Sequence, residues 1–291
     1  NELTALMSAG ISRLRVAAPV IGMGVLVAFL AAGSREFLIP RFQDELSRKP
    51  QDLIGDVGQT VRPRYDNRTE ILIRCGMTFG DKMRLSKPNF LMPRSLDHYG
   101  KQLSAKQAFY RRPSAERPGG YLLDGMIEPA DLREKPSLRL EGKPVLITPL
   151  DAPGWLKPNQ CFVISDLTFD QFTGGEAWRK YSSTKTLITG LRNPSLDAGA
   201  KVSVAVHSRI TKPFLDVTLL FLGLPLVLTR QSRNVFMAMT LCSAMVSVFS
   251  LVMIAFEFLG ETFWISPSLA AWAPLMIFVP LAVAMADSMR R

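Results

Sequence analysis

Four long apolar runs, three of them crowded into the last third of the chain, constrain its fold more than any other feature. Val16–Gly33 carries no charge, Pro213–Thr229 holds one acid (Asp216), Val235–Leu259 holds Glu257 near its end, and Leu269–Ala286 carries none. A bilayer core is about 30 Å thick and is crossed by about 20 apolar residues in helical form. The runs therefore predict four membrane spans. Most of the 35 Lys+Arg and 25 Asp+Glu lie between Arg35 and Lys212, so a polar block sits between apolar ones. The overall 47% hydrophobic and 21% charged content hides that split. It excludes an ordinary soluble enzyme, a disordered chain and a coiled coil. Three cysteines exclude a disulfide-dense scaffold.

Short basic segments set the orientation. Arg13 and Arg15 precede the first span, Arg230 and Arg233 lie between the second and third, and Arg290 and Arg291 follow the fourth. The remaining short loop, Gly260–Ser268, has Glu261 and no base. The basic segments are thus assigned to the cytoplasm and the block from Arg35 to Lys212 to the outside. Trp264 and Trp272 flank the start of the last span, where an interfacial aromatic belt would stand. Pro19, Pro225, Pro274 and Pro280 fall inside spans, which implies a packed bundle whose neighbouring helices re-satisfy freed carbonyls. Ser243, Ala244, Ser247 and Ser250 form a small-residue stripe suited to close helix contact, although ordinary composition also produces such stripes.

Between Arg41 and Val206 short β-rich runs replace long helical periods. Ile71–Ile73, Tyr121–Leu123, Val145–Thr148, Phe162–Ile164 and Val202–Val206 are the clearest, separated by turn clusters such as Pro118-Gly119-Gly120. This pattern predicts a sandwich, barrel or jelly roll. Ser182–Leu191 reads as a short helix with Ser182 or Ser183 as its cap.

Catalytic signatures are missing. The sequence has no G-x-x-x-x-G-K-[ST], no H-E-x-x-H, no C-x-x-C and no G-x-S-x-G. Of the two histidines, His98 and His207, His207 reads as solvated or interfacial. No catalytic residue, metal or cofactor is expected. Cys75 and Cys161 both fall in the outer block, and their pairing is open. Asp216, Glu257 and Asp287 lie near span ends, within reach of water, and Asp216 is the most interesting of them.

Several stretches carry a family resemblance. Residues 1–12, NELTALMSAGIS, form an amphipathic helix with Leu3, Leu6, Met7, Gly10, Ile11 and Leu14 on one face and Glu2 elsewhere. REFLIP (Arg35–Pro40) follows the first span. VAVHSRITKPF (Val204–Phe214), with Arg209 and Pro213, resembles a family pattern in which a strand leads into a membrane helix. LGLPLVL (Leu222–Leu228), ISPSLAAWAP (Ile265–Pro274) and LSAKQAFYRRPSAERPGGYLLDG (Leu103–Gly125) complete the set. In this order they resemble the permease subunits F and G of the bacterial lipopolysaccharide exporter. The resemblance covers most of the chain and is weak from Gln43 to Lys101.

The resemblance implies an α+β membrane protein, a helical transmembrane bundle with four spans in this chain and an inserted extracytoplasmic all-β jelly-roll-like domain. Residues 1–40 would hold a cytoplasmic coupling helix and a span, 41–208 the β domain, and 209–291 a three-span bundle. The family has six spans, three on each side of the outer domain, so two would precede Asn1. The helix bearing Glu2, Leu3, Leu6, Met7 and Gly10 would meet a cytoplasmic ATPase dimer. Further implied partners are a paralogous permease subunit, periplasmic β-jelly-roll lipid-transfer proteins, and lipopolysaccharide or a related glycolipid, with no nucleic acid. The location would be the bacterial inner membrane, multi-pass, with the large domain in the periplasm. Two basic clusters, Arg62, Arg64 and Arg68, and Arg111, Arg112 and Arg117, are candidate contacts for lipid phosphates, because guanidinium forks match phosphate geometry. Solvated loops are the alternative for each. Two other protein classes share the topology: a four-span ABC permease of the macrolide-exporter or lipoprotein-release type, and a membrane-anchored scaffold that transports nothing.

Overall fold

A computed structural model describes residues 9, 12–47, 58–80, 82–115, 117–152, 154–228 and 235–287. They fall into two compact units. One is formed by the described residues within Asn1–Arg41 and Ala198–Arg291, the other by those within Phe42–Asp197. The helix expected over residues 1–12 lies outside the described residues, and with it Glu2, Leu3, Leu6, Met7 and Gly10.

The first unit is helical. Helix α1 (Arg13–Gly33) runs on through a π-helical turn, Ser34–Leu38, and a last α turn, Ile39–Arg41. Among the described residues three helical segments are long and apolar enough to cross a membrane: Arg15–Arg41, Phe236–Glu261 and Pro267–Asp287. The second and third belong to helices α6 (Val235–Glu261) and α7 (Pro267–Asp287). The run beginning at Pro213 is the C-terminal part of α5 (Gly199–Leu228), whose first half is polar. Packing is by small residues and interleaved aromatics. Leu215 and Leu222 of α5 meet Phe249 of α6 and Phe278 and Ala282 of α7. The Phe249 and Phe278 ring centroids are 4.6 Å apart. Gly24 permits the close approach of α1 to α5, since a Cβ there would stand 2.7 Å from a Leu220 methyl. On α7 the buried residues Ala270, Pro274, Phe278 and Ala282 recur every four positions, so one stripe faces the bundle. The remaining surface is apolar and exposed, as at Leu30, Phe236, Leu251, Ile254 and Met276. A water-facing helix does not keep such a surface; a lipid-facing one does.

One expected strand is corrected here. Val202–Val206 is helical, part of α5, and so is the whole of Val204–Phe214. The V-x-V-x-V alternation mimics a strand, but the helix that contains it runs on through Pro213 into the apolar run that follows. Tertiary packing overrides β-propensity: Val202, Val204 and Val206 are all buried, and Val204 lies against Gly260 of α6.

The second unit is one antiparallel sheet of ten short strands. These are β1 (Arg64–Asp66), β2 (Ile71–Arg74), β3 (Met77–Phe79), β4 (Arg84–Ser86), β5 (Asn89–Leu91), β6 (Gln102–Arg111), β7 (Gly120–Glu128), β8 (Leu138–Leu140), β9 (Lys143–Ile147) and β10 (Gln160–Ile164). The order is β1-β2-β5-β6-β7-β10-β9-β8, with β3 on β4 and β4 on β6. The ten-residue β6 takes two partners along one edge. Its Gln102–Ser104 pairs with β5 and its Gln107–Phe109 with β4. The Leu103–Gly125 stretch forms the β6–β7 hairpin, in register through Tyr110↔Tyr121 and Phe109↔Leu122.

The unit also holds a short helix, α2 (Gln43–Ser47), and against one sheet face lie helices α3 (Phe169–Tyr181) and α4 (Thr184–Leu191). Tyr121 centres this core, fully buried among the rings of Phe90, Tyr110 and Phe172, and its hydroxyl donates to the Leu167 carbonyl at 3.1 Å. Ser183 caps α4 by accepting from the Thr186 N–H at 3.1 Å. Helix α3 was not expected from the sequence. Gly175, at φ 46°, kinks it and weakens the helical signature, yet Thr168 and Gln171 form a reciprocal capping box that marks its start.

Candidate functional site

The two arginine clusters both fall in the sheet unit, and the structure treats them differently. In the first, Arg68 stands in the turn after β1 and pairs with Asp166. Beneath it Asp66 is fully buried. One of its carboxylate oxygens accepts from the Arg68 N–H at 3.0 Å and the Thr69 N–H at 3.3 Å, and the other accepts from the Ser165 hydroxyl. Asn193 extends this network by donating to the Asp166 carbonyl at 2.7 Å. Every buried oxygen of Asp66 thus has a donor, which is what a buried carboxylate requires. The network ties the β1–β2 turn to the start of α3 and the end of α4. Arg68 is therefore part of a structural tie. Arg64 is half-buried on β1, and Arg62 is exposed before it.

The second cluster surrounds a cavity of about 420 Å³ at the end of the β6–β7 hairpin. Arg111 closes β6, and Arg112 and Arg117 lie in the loop that follows, where Ser114 and Arg117 bond each other through their backbones. All three arginines line the cavity, together with Leu122, Trp155 and Phe162. Strand β10 can approach β7 this closely because Gly120 opens β7: a Cβ there would stand 2.1 Å from the Val163 carbonyl oxygen. Phe162 and Leu122 are brought side by side by the β10–β7 register.

Trp155 comes from the loop after β9. Its ring meets Phe162 edge-on, with centroids 5.1 Å apart, and the Arg117 guanidinium lies 5.0 Å from its ring centre. That loop is fixed by hydrogen bonds. The Ser137 N–H donates to Asp151 at 2.6 Å, the Thr148 N–H donates to the Ser137 hydroxyl at 3.1 Å, and the Thr148 hydroxyl donates to the Lys135 carbonyl at 2.8 Å. The hydrogen bonds from Ser137 hold the Asp151 carboxyl below its usual range. Leu156, Phe162 and Ile164 form a small core behind the pocket. The result is a cationic rim above an aromatic and aliphatic floor.

The other sequence-marked residues are placed as follows. Arg209 and Pro213 lie in α5, and Arg209 is buried, its charge interacting with those of Arg35 and Glu36. The REFLIP stretch and the Val204–Phe214 stretch therefore meet within the helical unit. Cys75 and Cys161 are free thiols. Burial pushes Cys75 up to about 11 and Cys161 higher still, and the Cys161 Sγ lies 3.4 Å from the Met126 Sδ. Sequence reasoning found the arginines of the pocket but missed Leu122, Trp155 and Phe162. Nothing local joins them to the arginines, because the β7–β10 pairing and the anchored loop bring them together.

Apolar helices with lipid-facing surfaces, joined in one chain to an antiparallel sheet unit, define a multi-pass membrane protein carrying a β-sheet domain. The profile of the family described as the lipopolysaccharide export system permease LptF/LptG matches residues 1–69 and 133–287, and the chain belongs to that family. Its class is thus a permease of the inner membrane, which sets aside the macrolide-exporter and scaffold alternatives. Arg111, Arg112, Arg117 and Leu122 lie between the two matched segments, while Trp155 and Phe162 lie inside the second. No curated protein is significantly similar to the chain.

Proposed function

We propose that this chain is the transmembrane subunit of an ABC-type exporter. It extracts lipopolysaccharide from the inner membrane and passes it to a periplasmic bridge of β-jelly-roll proteins, powered by a separate ATPase dimer. The observation that carries this reading is the family match, which extends over the helical segments and over strands β1 and β8–β10 of the sheet. In this reading the C-terminal part of α5, from Pro213, is a fourth span beside the three apolar helices. The sheet unit is the periplasmic, jelly-roll-like domain, which hands lipid on through strand-edge pairing. The segment bearing Glu2, Leu3, Leu6, Met7 and Gly10 is the ATPase contact. A paralogous permease subunit completes the membrane pore. The chain supplies motion and a path, and the ATPase supplies the chemistry.

The test is purification of the tagged full chain from its native membranes in mild detergent. A nucleotide-binding subunit and a second permease are expected to co-purify. In proteoliposomes that assembly should release lipopolysaccharide to a β-jelly-roll acceptor only with ATP. A chain that purifies without an ATPase, or releases lipid equally without ATP, would sink the proposal.

A further inference from the structure

Helix α4 buries one face and presents the other. Leu187 is fully buried, and Gly190 lets the helix settle on α3, since a Cβ there would stand 2.6 Å from the Trp178 ring. Lys185, Ile188, Leu191 and Arg192 are exposed, and their spacing of three and four residues sets them on one outward stripe. Two aliphatic side chains are thus flanked by two cations. The charge around them has one sign: between Ala177 and Leu196 the sequence holds the bases Arg179, Lys180, Lys185 and Arg192 and no acid. Helix α2 adds to the apolar part. Its Leu46 and the adjoining Phe42 are exposed, and the Ser182 hydroxyl, just before α4, donates to the Gln43 side chain at 3.2 Å.

Single exposed aliphatics are ordinary on a water-facing surface. An aliphatic stripe edged by bases suits a bilayer surface, where the apolar side chains enter the head-group boundary and the cations meet negative charge. The connectivity of the chain favours lipid over a soluble partner. The sheet unit begins at Phe42, directly after Arg41, where a helix apolar and long enough to cross a membrane ends. That covalent joint keeps lipid at a high effective concentration, so even a small patch is held. We propose that the α4 stripe rests on an anionic bilayer surface, with Ile188 and Leu191 in the head-group boundary and Lys185 and Arg192 on anionic head groups. The contact restrains the sheet unit at the membrane. It requires only that the chain is embedded in a bilayer, so it goes beyond the export reading and does not rest on it.

The experiment uses the full chain in nanodiscs, with a bimane label on I188C, L191C or R139C, the last an exposed position on the edge strand β8. The unsubstituted chain, treated alike, supplies the background from the native thiols. The discs are phosphatidylcholine with about one third phosphatidylglycerol and a trace of lipid bearing a nitroxide just below its head group. Quenching at 188 and 191 should exceed that at 139 about threefold or more. Discs of phosphatidylcholine alone, or salt raised well above physiological, should reduce it, since each removes the attraction. K185E and R192E together should bring I188C down to the level of R139C. The gentler K185Q and R192Q pair serves if that variant does not fold, and should fall in between. Quenching at 188 and 191 no greater than at 139 would overturn the proposal, as would quenching that survives charge reversal or is equal in phosphatidylcholine alone. So would a label shielded from water in native membranes yet unquenched in the discs, which would give the stripe to a protein partner. ATPase co-purification reads the export function separately, so loss of one result leaves the other standing.

Discussion

Arg68 of the first arginine cluster faces Asp166 above a buried, fully bonded Asp66, whereas Arg111, Arg112 and Arg117 of the second stand around a pocket floored by Trp155 and Phe162. In sequence the two clusters are equivalent, each three arginines within a turn-rich stretch. The difference comes from what the sheet brings opposite them. The β1–β2 turn meets the start of α3, which supplies Asp166. The β6–β7 hairpin meets β10 and the loop after β9, which supply rings. A guanidinium opposite a carboxylate becomes part of the scaffold. A guanidinium over a ring keeps its donors for a ligand.

The strongest way to break this contrast is at Asp66. Replacing it with alanine leaves the Arg68 and Thr69 amides and the Ser165 hydroxyl without their acceptor. The cost should be about 3 kcal/mol, since each buried donor left unsatisfied costs 1–3 kcal/mol. Urea unfolding followed through the tryptophans of the sheet unit measures it, and a loss below about 1 kcal/mol would deny Asp66 its role as a tie.

Next comes Trp155→Ala. The ring is only half-buried, so the stability loss should be about 2 kcal/mol, less than the 3–5 kcal/mol of a fully buried aromatic. The same urea unfolding measures it, and a loss as large as that of a fully buried ring would place Trp155 in the core rather than at the edge of the pocket. A smaller effect separates the clusters directly. Arg68→Gln removes a pair whose side chains are 30% and 43% exposed, and should cost at most about 1 kcal/mol. The triple Arg111, Arg112 and Arg117 glutamine variant should change stability by less than about 0.5 kcal/mol, as surface substitutions do. If it instead destabilised the sheet more than Arg68→Gln, the second cluster would be structural and the contrast would fail.

The smallest effect is a titration. Hydrogen bonds from Ser137 depress the folded pKa of Asp151, so the contribution of this contact is present above the unfolded value, about 3.9. It is lost as pH falls through the lower folded pKa. The carboxyl resonance of Asp151 should titrate below the ordinary aspartate midpoint and move only part of the way toward it in Ser137→Ala, which removes the hydroxyl and keeps the backbone N–H donor. An unchanged midpoint would deny the Ser137 hydroxyl its part in depressing the Asp151 carboxyl.

Legibility in the sequence followed interaction range. Spans α6 and α7 were readable because lipid demands an uninterrupted apolar run, and their ends fall within two residues of the expected ones. The strands containing Ile71–Ile73, Tyr121–Leu123 and Phe162–Ile164 were readable from local composition. Val202–Val206 was misread because alternation is ambiguous when every side is buried. Helix α3 was missed because Gly174 and Gly175 interrupt its period, although the Thr168–Gln171 box was present in the sequence. The site was half legible. Charges advertise themselves locally, but neither Asp166 opposite Arg68 nor Trp155 beneath Arg117 follows from anything within ten residues of those arginines.

The π-helical turn at Ser34–Leu38 fits one extra residue into the helix that ends at Arg41. In an α-helix each residue advances the phase by about 100°. One added residue therefore acts as a gear tooth: everything from Ile39 to Arg41 is indexed one position away from where the uninterrupted rotation of α1 would set it. Deleting a single residue inside the turn would let the helix close its ordinary bonds at almost no cost in length. It would nonetheless turn Arg41 to a different compass bearing.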